Sequence, residues 1–276
     1  MKKKLGQPIG VNTIMDRQGR TYHVGICKGE VASSCLLVGD HGRAQRMLPL
    51  MDQVKPVGTT HRHFYTYTGM YEGQPLTLMS IGMGVAMMDF AVREIAQVTE
   101  GDLRILRVGS SGTLQENISV GSIAVAEESL LVQTNYKNFE SDDLPYSFSQ
   151  KISANTILLE NFMQEIESIG LQSCKGLDVT CDEFYASQGR EDANFLDKNE
   201  NLIDSIQKQY PDVVSLQMET FKLYDLAQRA KNRKIYAVAA AIVVAQRSSN
   251  DFLDDATKEA REIDLGRAAM NALIVR

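Results

Sequence analysis

Ser34-Cys35-Leu36-Leu37-Val38-Gly39-Asp40 is an apolar run of strand length that stops at a glycine, and the segment after it, residues 43–51, sets Met47, Leu48 and Met51 at helical spacing. The unit reads strand, turn, helix. A second unit follows: residues 76–81 stop at Gly82-Met83-Gly84, and residues 86–98 place Met87, Phe90, Ala91, Ile95 and Val98 on one face. Residues 103–108 then run into Gly109-Ser110-Ser111-Gly112, and residues 122–126 form another buried-strand pattern, neither of them followed at once by a helix. Helical patterns recur at 155–169, 194–208, 219–230 and 256–273, with strand patterns at 176–181, 213–216 and 235–244. This alternation predicts an α/β fold, a single domain with a central mixed β-sheet flanked by helices. The domain is expected over residues 19–276, after a polar N-terminal arm at 1–18; the polar stretch 135–146 reads as a loop, too short to link two domains.

The 276 residues, 43% hydrophobic and 23% charged, are enough for one large core. With 29 Lys and Arg against 35 Asp and Glu, the net charge of -6 argues against a broad nucleic-acid or anionic-membrane surface. Any bound anion must therefore be caught by local arginines. No apolar run approaches the ~18 residues of a membrane span. The basic start Met1-Lys2-Lys3-Lys4 leads into Leu5-Gly6-Gln7-Pro8 and not into an apolar signal core, so a soluble cytoplasmic protein is expected. Cys27, Cys35, Cys174 and Cys181 lack C-x-x-C spacing and read as reduced structural thiols; the four histidines show no ligand spacing, and no metal site is expected.

A strand ending in a glycine-rich turn exposes backbone N–H groups where open α/β sheets bind ligands. Gly39 to Arg43 pairs two glycines with a guanidinium, and Arg107-Val108-Gly109-Ser110-Ser111-Gly112 adds serine hydroxyls to an arginine, the donor set a tetrahedral oxyanion requires. Taken singly, each is ordinary turn chemistry. The third turn, at Gly82 and Gly84, has Met87 where a dinucleotide fingerprint needs its third glycine, which argues against NAD. Arg107 lies in an apolar strand and so requires an anionic partner, either a structural carboxylate or a phosphate.

Further motifs are His61-Arg62-His63-Phe64, Phe184-Tyr185-Ala186-Ser187-Gln188-Gly189-Arg190, Met218-Glu219, and Arg247 after the late apolar strand. Alone, Phe184 and Met218 read as core packing and Gln188 and Arg190 as a solvated loop. Jointly, and in this order and spacing, the motifs resemble the hexameric-type nucleoside phosphorylases, the purine/uridine phosphorylase superfamily, and within it the uridine phosphorylases, over residues 22–273.

The resemblance implies reversible phosphorolysis of uridine, and of 2′-deoxyuridine, to uracil and a pentose 1-phosphate in nucleoside salvage, with inorganic phosphate as co-substrate and no cofactor. It implies that Gly39, Arg43, Arg107 and Ser110 bind phosphate, with Arg62 reaching in from a neighbouring subunit, and that Arg43, Arg62 and Arg107 carry catalysis by poising it. Met218, Glu219, Gln217 and the neighbour's His23 would hold ribose. Ser111, Gly112, Phe184, Gln188, Arg190 and Arg247 would hold uracil. Shared sites imply a homodimer, alone or as a hexamer of three dimers, with no nucleic-acid or membrane partner.

Three departures stand out. Gln217 takes the place of a common acid, so either discrimination at the sugar falls or its side chain makes a structural bond instead. His63 and Met87 stand where some relatives hold a cation, and His41-Gly42 alters the phosphate turn. Two rivals remain at this point: a purine nucleoside phosphorylase of the same fold, disfavoured by Ala245-Gln246-Arg247 where purine enzymes carry an aspartate, and a non-catalytic nucleoside-binding subunit.

Overall fold

A computed structural model describes residues 14–59, 62–141 and 143–274. His61 and residues 1–13 of the expected arm lie outside the described residues. Within residues 14–18, Met15 bridges Thr21 and the buried Asp16 carboxylate accepts from the Arg20 amide at 2.8 Å, while Ile14, Arg17 and Gln18 are exposed.

In chain order the elements are β1 (Ser34–Val38), α1 (His41–Met47), β2 (Asp52–Val57), β3 (Tyr65–Tyr71), β4 (Gln74–Ser80), α2 (Val85–Val98), β5 (Leu103–Thr113), β6 (Ile123–Thr134), β7 (Tyr146–Phe148), β8 (Ile152–Ser153), α3 (Thr156–Ser168), β9 (Ser173–Cys181), α4 (Leu202–Gln209), β10 (Val213–Gln217), α5 (Thr220–Gln228), β11 (Ile235–Gln246), β12 (Asp251–Phe252) and α6 (Asp255–Leu273). They build one mixed sheet whose path is β12-β11-β6-β9-β10-β5-β1-β4-β3-β2. The path also closes on itself, because β5 pairs in parallel with β11 as well as meeting β10 at Gly112 and Leu216. Strands β5, β11, β6, β9 and β10 thus form a ring, and β1, β4, β3 and β2 extend from it as an open wing.

Burial on both faces explains the apolar strands. Along β1, Leu36 and Val38 join the layer under α1, α3 and α6, while Cys35 and Leu37 join the layer under α2 and α5. β5 and β11 alternate in the same way, with Leu106, Val108, Val238 and Ala240 on one side and Ile105, Ala237 and Ala239 on the other. A smaller cluster packs α4 through Leu202 and Ile206 against β6, β9 and β10. No helix among the described residues is long and apolar enough to cross a membrane.

Several local expectations need correction. The stretch from Gly109 to Gly112 is no turn: β5 continues through it to Thr113, because the ring demands a strand long enough to serve both β1 and β11. The helix after Gly39 starts at His41, with the Asp40 carboxylate accepting from the Arg43 amide at 2.7 Å, and tightens into a 3-10 turn at Leu48–Leu50, where Pro49 withholds an N–H. Residues 194–201 are not helical. Asp192 there accepts the Asn194 amide at 2.8 Å, and Asn199 bonds the carbonyls of Ala186 and Arg190, so local side-chain bonds replace the helical ones. On α2 the core face is Met88, Ala91, Val92, Ile95 and Val98, with Met87 and Phe90 only partly buried. The hairpin of β2 and β3 went unread because β2, an edge strand, buries little besides Val57.

Candidate active site

The segments at the C-terminal ends of β1, β4, β5, β10 and β11 converge on a cavity of about 400 Å³, at the seam where β5 meets β10. Its lining includes Gly39, Arg43, Arg107 and Ser110, Gln217, Met218 and Glu219, and Ser111, Gly112, Phe184, Gln188 and Arg190. Residues far apart in the chain are therefore brought together as expected, while His23, Arg62 and Arg247 lie outside the lining.

Beside Arg43 and Arg107 in the lining, Gly39 and Gly82 approach closely, the Gly82 amide donating to the Gly39 carbonyl at 3.0 Å. Asp40 caps α1; burial opposes its ionisation, but the amides of Arg43 and Gly42 and the charges of Arg43 and Arg46 hold its carboxyl below the ordinary value. Arg43 is buried, its Nε donating to Glu262 at 2.9 Å and its Nη1 to the Val108 carbonyl at 3.3 Å. Arg107 folds back over its own strand. Any side chain at Gly109 would collide with its guanidinium, so that glycine provides the room. Nη2 of Arg107 donates to Glu219 Oε2, whereas Nε and Nη1 are buried with no hydrogen-bond partner among the described residues. Buried donors without acceptors are costly, so an anion entering the cavity beside Arg107 would satisfy them.

Glu219 begins α5 but does not cap it. The Gln217 side-chain oxygen accepts the amides of Glu219 at 2.7 Å and Thr220 at 3.2 Å, which frees the Glu219 carboxylate for the cavity. There Oε1 accepts the Gly84 amide at 2.6 Å, at the N-terminus of α2. Gln217 lines the cavity, and its side chain makes the structural bonds that the sequence left open as an alternative to a sugar contact. Its Nε2 donates to Asp178 Oδ2 at 2.6 Å and Thr180 Oγ1 at 2.7 Å, so every polar atom of the amide has an internal partner. Asp178, entirely buried, also accepts from Ser129, Thr180 and Ser215, and burial raises its pKa despite those bonds. Sequence reasoning missed this carboxylate, since a lone Asp in an apolar strand carries no motif.

In another part of the lining, the Arg190 guanidinium lies 3.9 Å from the Phe184 ring centroid and donates to Gln188 Oε1 at 2.6 Å. Burial, and to a lesser degree the nearby charge of Arg247, lowers the Arg190 pKa. Arg247, expected among the uracil-binding residues, donates to the carbonyls of Gln188 at 2.9 Å and Gly189 at 3.1 Å. It braces the loop that presents Gln188, because carbonyls freed by the left-handed Gly189 need donors. Met83 and Phe252, both 74% exposed, form the rim, which no motif announced.

His23 and Arg62 form a separate patch around Tyr22. His23 Nδ1 lies 2.7 Å from Glu94 Oε1, its ring stacks on Phe90 at 4.0 Å, and the Arg62 guanidinium lies 5.7 Å from the Tyr22 ring centroid.

Comparison with known proteins matches this geometry to a family. The model of the phosphorylase superfamily matches residues 34–273. The chain is 29% identical over 248 residues to a uridine phosphorylase of Thermococcus kodakarensis, covering 88% of this chain and 83% of the relative. It is 27% identical over 257 residues to a DeoD-type purine nucleoside phosphorylase of Streptococcus thermophilus, covering 92% of this chain and 99% of the relative. Among solved structures, a uridine phosphorylase of the oomycete Phytophthora capsici superposes with a TM-score of 0.90 at 32% identity, over 94% of this chain and 96% of that one. The chain that folds into this ring and wing, with its cavity at the strand ends, belongs to the phosphorylase superfamily.

Proposed function

We propose that this protein is a uridine phosphorylase, in which an oxygen of inorganic phosphate bonds to C1′ of uridine as the C1′–N1 bond breaks and its electron pair leaves on uracil. The observation that carries the reading is that one cavity gathers three kinds of group in its lining: two arginines with Ser110, Glu219 with Met218, and Phe184 with Gln188 and Arg190. Arg43 and Arg107 would hold the dianionic nucleophile, Glu219 would accept ribose hydroxyl protons, and Gln188 with Arg190 would donate to the uracil oxygens on which negative charge grows. These groups need no cofactor beyond phosphate.

The purine reading is weaker. The carboxylates lining the cavity among the described residues are Asp40 and Glu219, at the phosphate and sugar positions. Gln246, next to Ala245 of the lining, is held by Ser248, Ser249 and the Gln115 carbonyl, and offers no acid to a purine N7.

His23 and Arg62 share one patch outside the cavity, which supports their action on a second copy's site, and hence a dimer with shared sites. Four free thiols suit a reducing cytoplasm. The deciding assay is uracil release from uridine with and without phosphate, beside inosine. Phosphate-dependent release of uracil, with inosine intact, is expected; faster cleavage of inosine or indifference to phosphate would overturn the reading.

A further inference from the structure

We propose that Glu262, on α6, is a positioning residue for the phosphate end of the cavity, acting through Arg43; the inference rests on reading that end as a phosphate site. Glu262 is completely buried and does not line the cavity. Its Oε1 accepts Arg43 Nε at 2.9 Å and its Oε2 accepts Arg46 Nε at 2.8 Å. Arg43 and Arg46 lie three residues apart on one face of α1, so a single carboxylate can clasp both. Close helix packing makes this reach possible: a side chain at Gly266, one turn beyond Glu262, would lie 2.9 Å from Met47 of α1.

The clasp fixes the plane of the Arg43 guanidinium. With Nε on Glu262 and Nη1 on the Val108 carbonyl, the orientation of the group toward the cavity is set before any ligand arrives. Arg46 also faces Asp40 at 3.8 Å and Glu259 at 3.4 Å, whereas Glu262 is the carboxylate that meets Arg43 itself.

The sign of the response separates positioning from charge. Removing an anion near a phosphate site by Glu262→Gln should tighten phosphate binding if charge alone mattered. Positioning requires the opposite. The expected result is a rise of roughly tenfold or more in the KM and calorimetric Kd for inorganic phosphate. The KM for uridine at saturating phosphate should stay within about twofold, since uniform damage would move both constants. In an Arg43→Ala background, Glu262→Gln should have no further effect on phosphate, because it acts through that arginine. Unchanged or tighter phosphate binding, or an effect that persists without Arg43, overturns the proposal. Should Glu262→Gln fail to fold, Glu262→Asp carries the same test, because it keeps the charge and withdraws it from Arg43. A wild-type protein that binds no phosphate overturns both readings. One that binds phosphate without cleaving uridine overturns the uridine reading alone, and calorimetry still judges Glu262.

Discussion

Arg107 and Glu219 face each other as an ion pair in the cavity wall, Nη2 donating to Oε2, with side chains only 5% and 3% exposed. The two partners left open for Arg107 by the sequence are thereby reconciled: it has a structural carboxylate, and two further N–H groups remain for a ligand. Each member neutralises a charge that, in the proposed reaction, serves a different substrate. Breaking such a pair from one side strands the other charge.

Glu219→Gln should therefore destabilise the fold by about 3 kcal/mol. Inorganic phosphate should recover more of that loss than it adds to the wild type, because Arg107 has lost its internal counter-charge and the ligand replaces it. Thermal unfolding with and without phosphate measures this; a phosphate shift in Tm no larger than that of the wild type would show that Arg107 does not meet the anion.

Gly109→Ala tests how the Arg107 side chain is stored. The added methyl collides with the guanidinium, while the backbone of β5 accepts alanine without strain. The arginine must move and the strand need not. The expected outcome is a fall of at least tenfold in kcat/KM for phosphate with a stability change under about 2 kcal/mol. Kinetics and urea unfolding on the same variant decide it, and unchanged kinetics would mean that the placement of Arg107 is immaterial.

The strand-turn-helix units at β1 and β4 were legible because their glycines fall where a continuous apolar run ends and apolar residues at helical spacing begin. Most of the residues that line the cavity were legible through motif order. β5 was misread because Gly109 and Gly112 carry the same letters whether they turn the chain or make room for a guanidinium and a neighbouring strand. No local pattern distinguishes the two; ring closure with β11 does. For the same reason Glu262, Asp178 and Glu94 escaped notice. Each is a lone acid whose partner lies far along the chain, such as Arg43 for Glu262 and Gln217 for Asp178.

Asp178 should leave a pH signature. Burial raises its pKa, so the folded state holds this proton more tightly than the unfolded chain does. Its contribution to stability is then largest below the ordinary carboxylate range and declines as pH rises through the folded-state value. Asparagine does not titrate, so the stability difference between wild type and Asp178→Asn isolates the group. Urea unfolding of both proteins from pH 4 to 8 should show the wild type losing ground to the variant as pH rises; a difference independent of pH would refute the shift.

Gln217→Glu follows from the same network. The change removes both donors and sets a second carboxyl against Asp178, at the 2.6 Å contact now made by Nε2. A loss of about 2–4 kcal/mol is expected, growing with pH as the two buried acids compete for protons. Because the amide faces Asp178, Thr180 and the start of α5, the ratio of kcat/KM for uridine and 2′-deoxyuridine should not change. A tenfold change in that ratio would return Gln217 to the sugar site.

Shared sites make the sharpest demand on assembly. His23 and Arg62 sit on one patch and Arg107 in the cavity, so a dimer in which each patch completes the other copy's cavity contains two sites built from both chains. When Arg62→Ala and Arg107→Ala subunits are unfolded together and refolded, half of the dimers are hybrids by random pairing. In a hybrid, one site collects both lesions and the other collects neither. Each parent homodimer should be weakly active, and the mixture should regain about a quarter of wild-type activity, since half the dimers then carry one intact site of two. If Arg62 acted within its own chain, every site in the hybrid would keep one lesion and no activity would return. An active monomer in sedimentation would exclude the arrangement altogether.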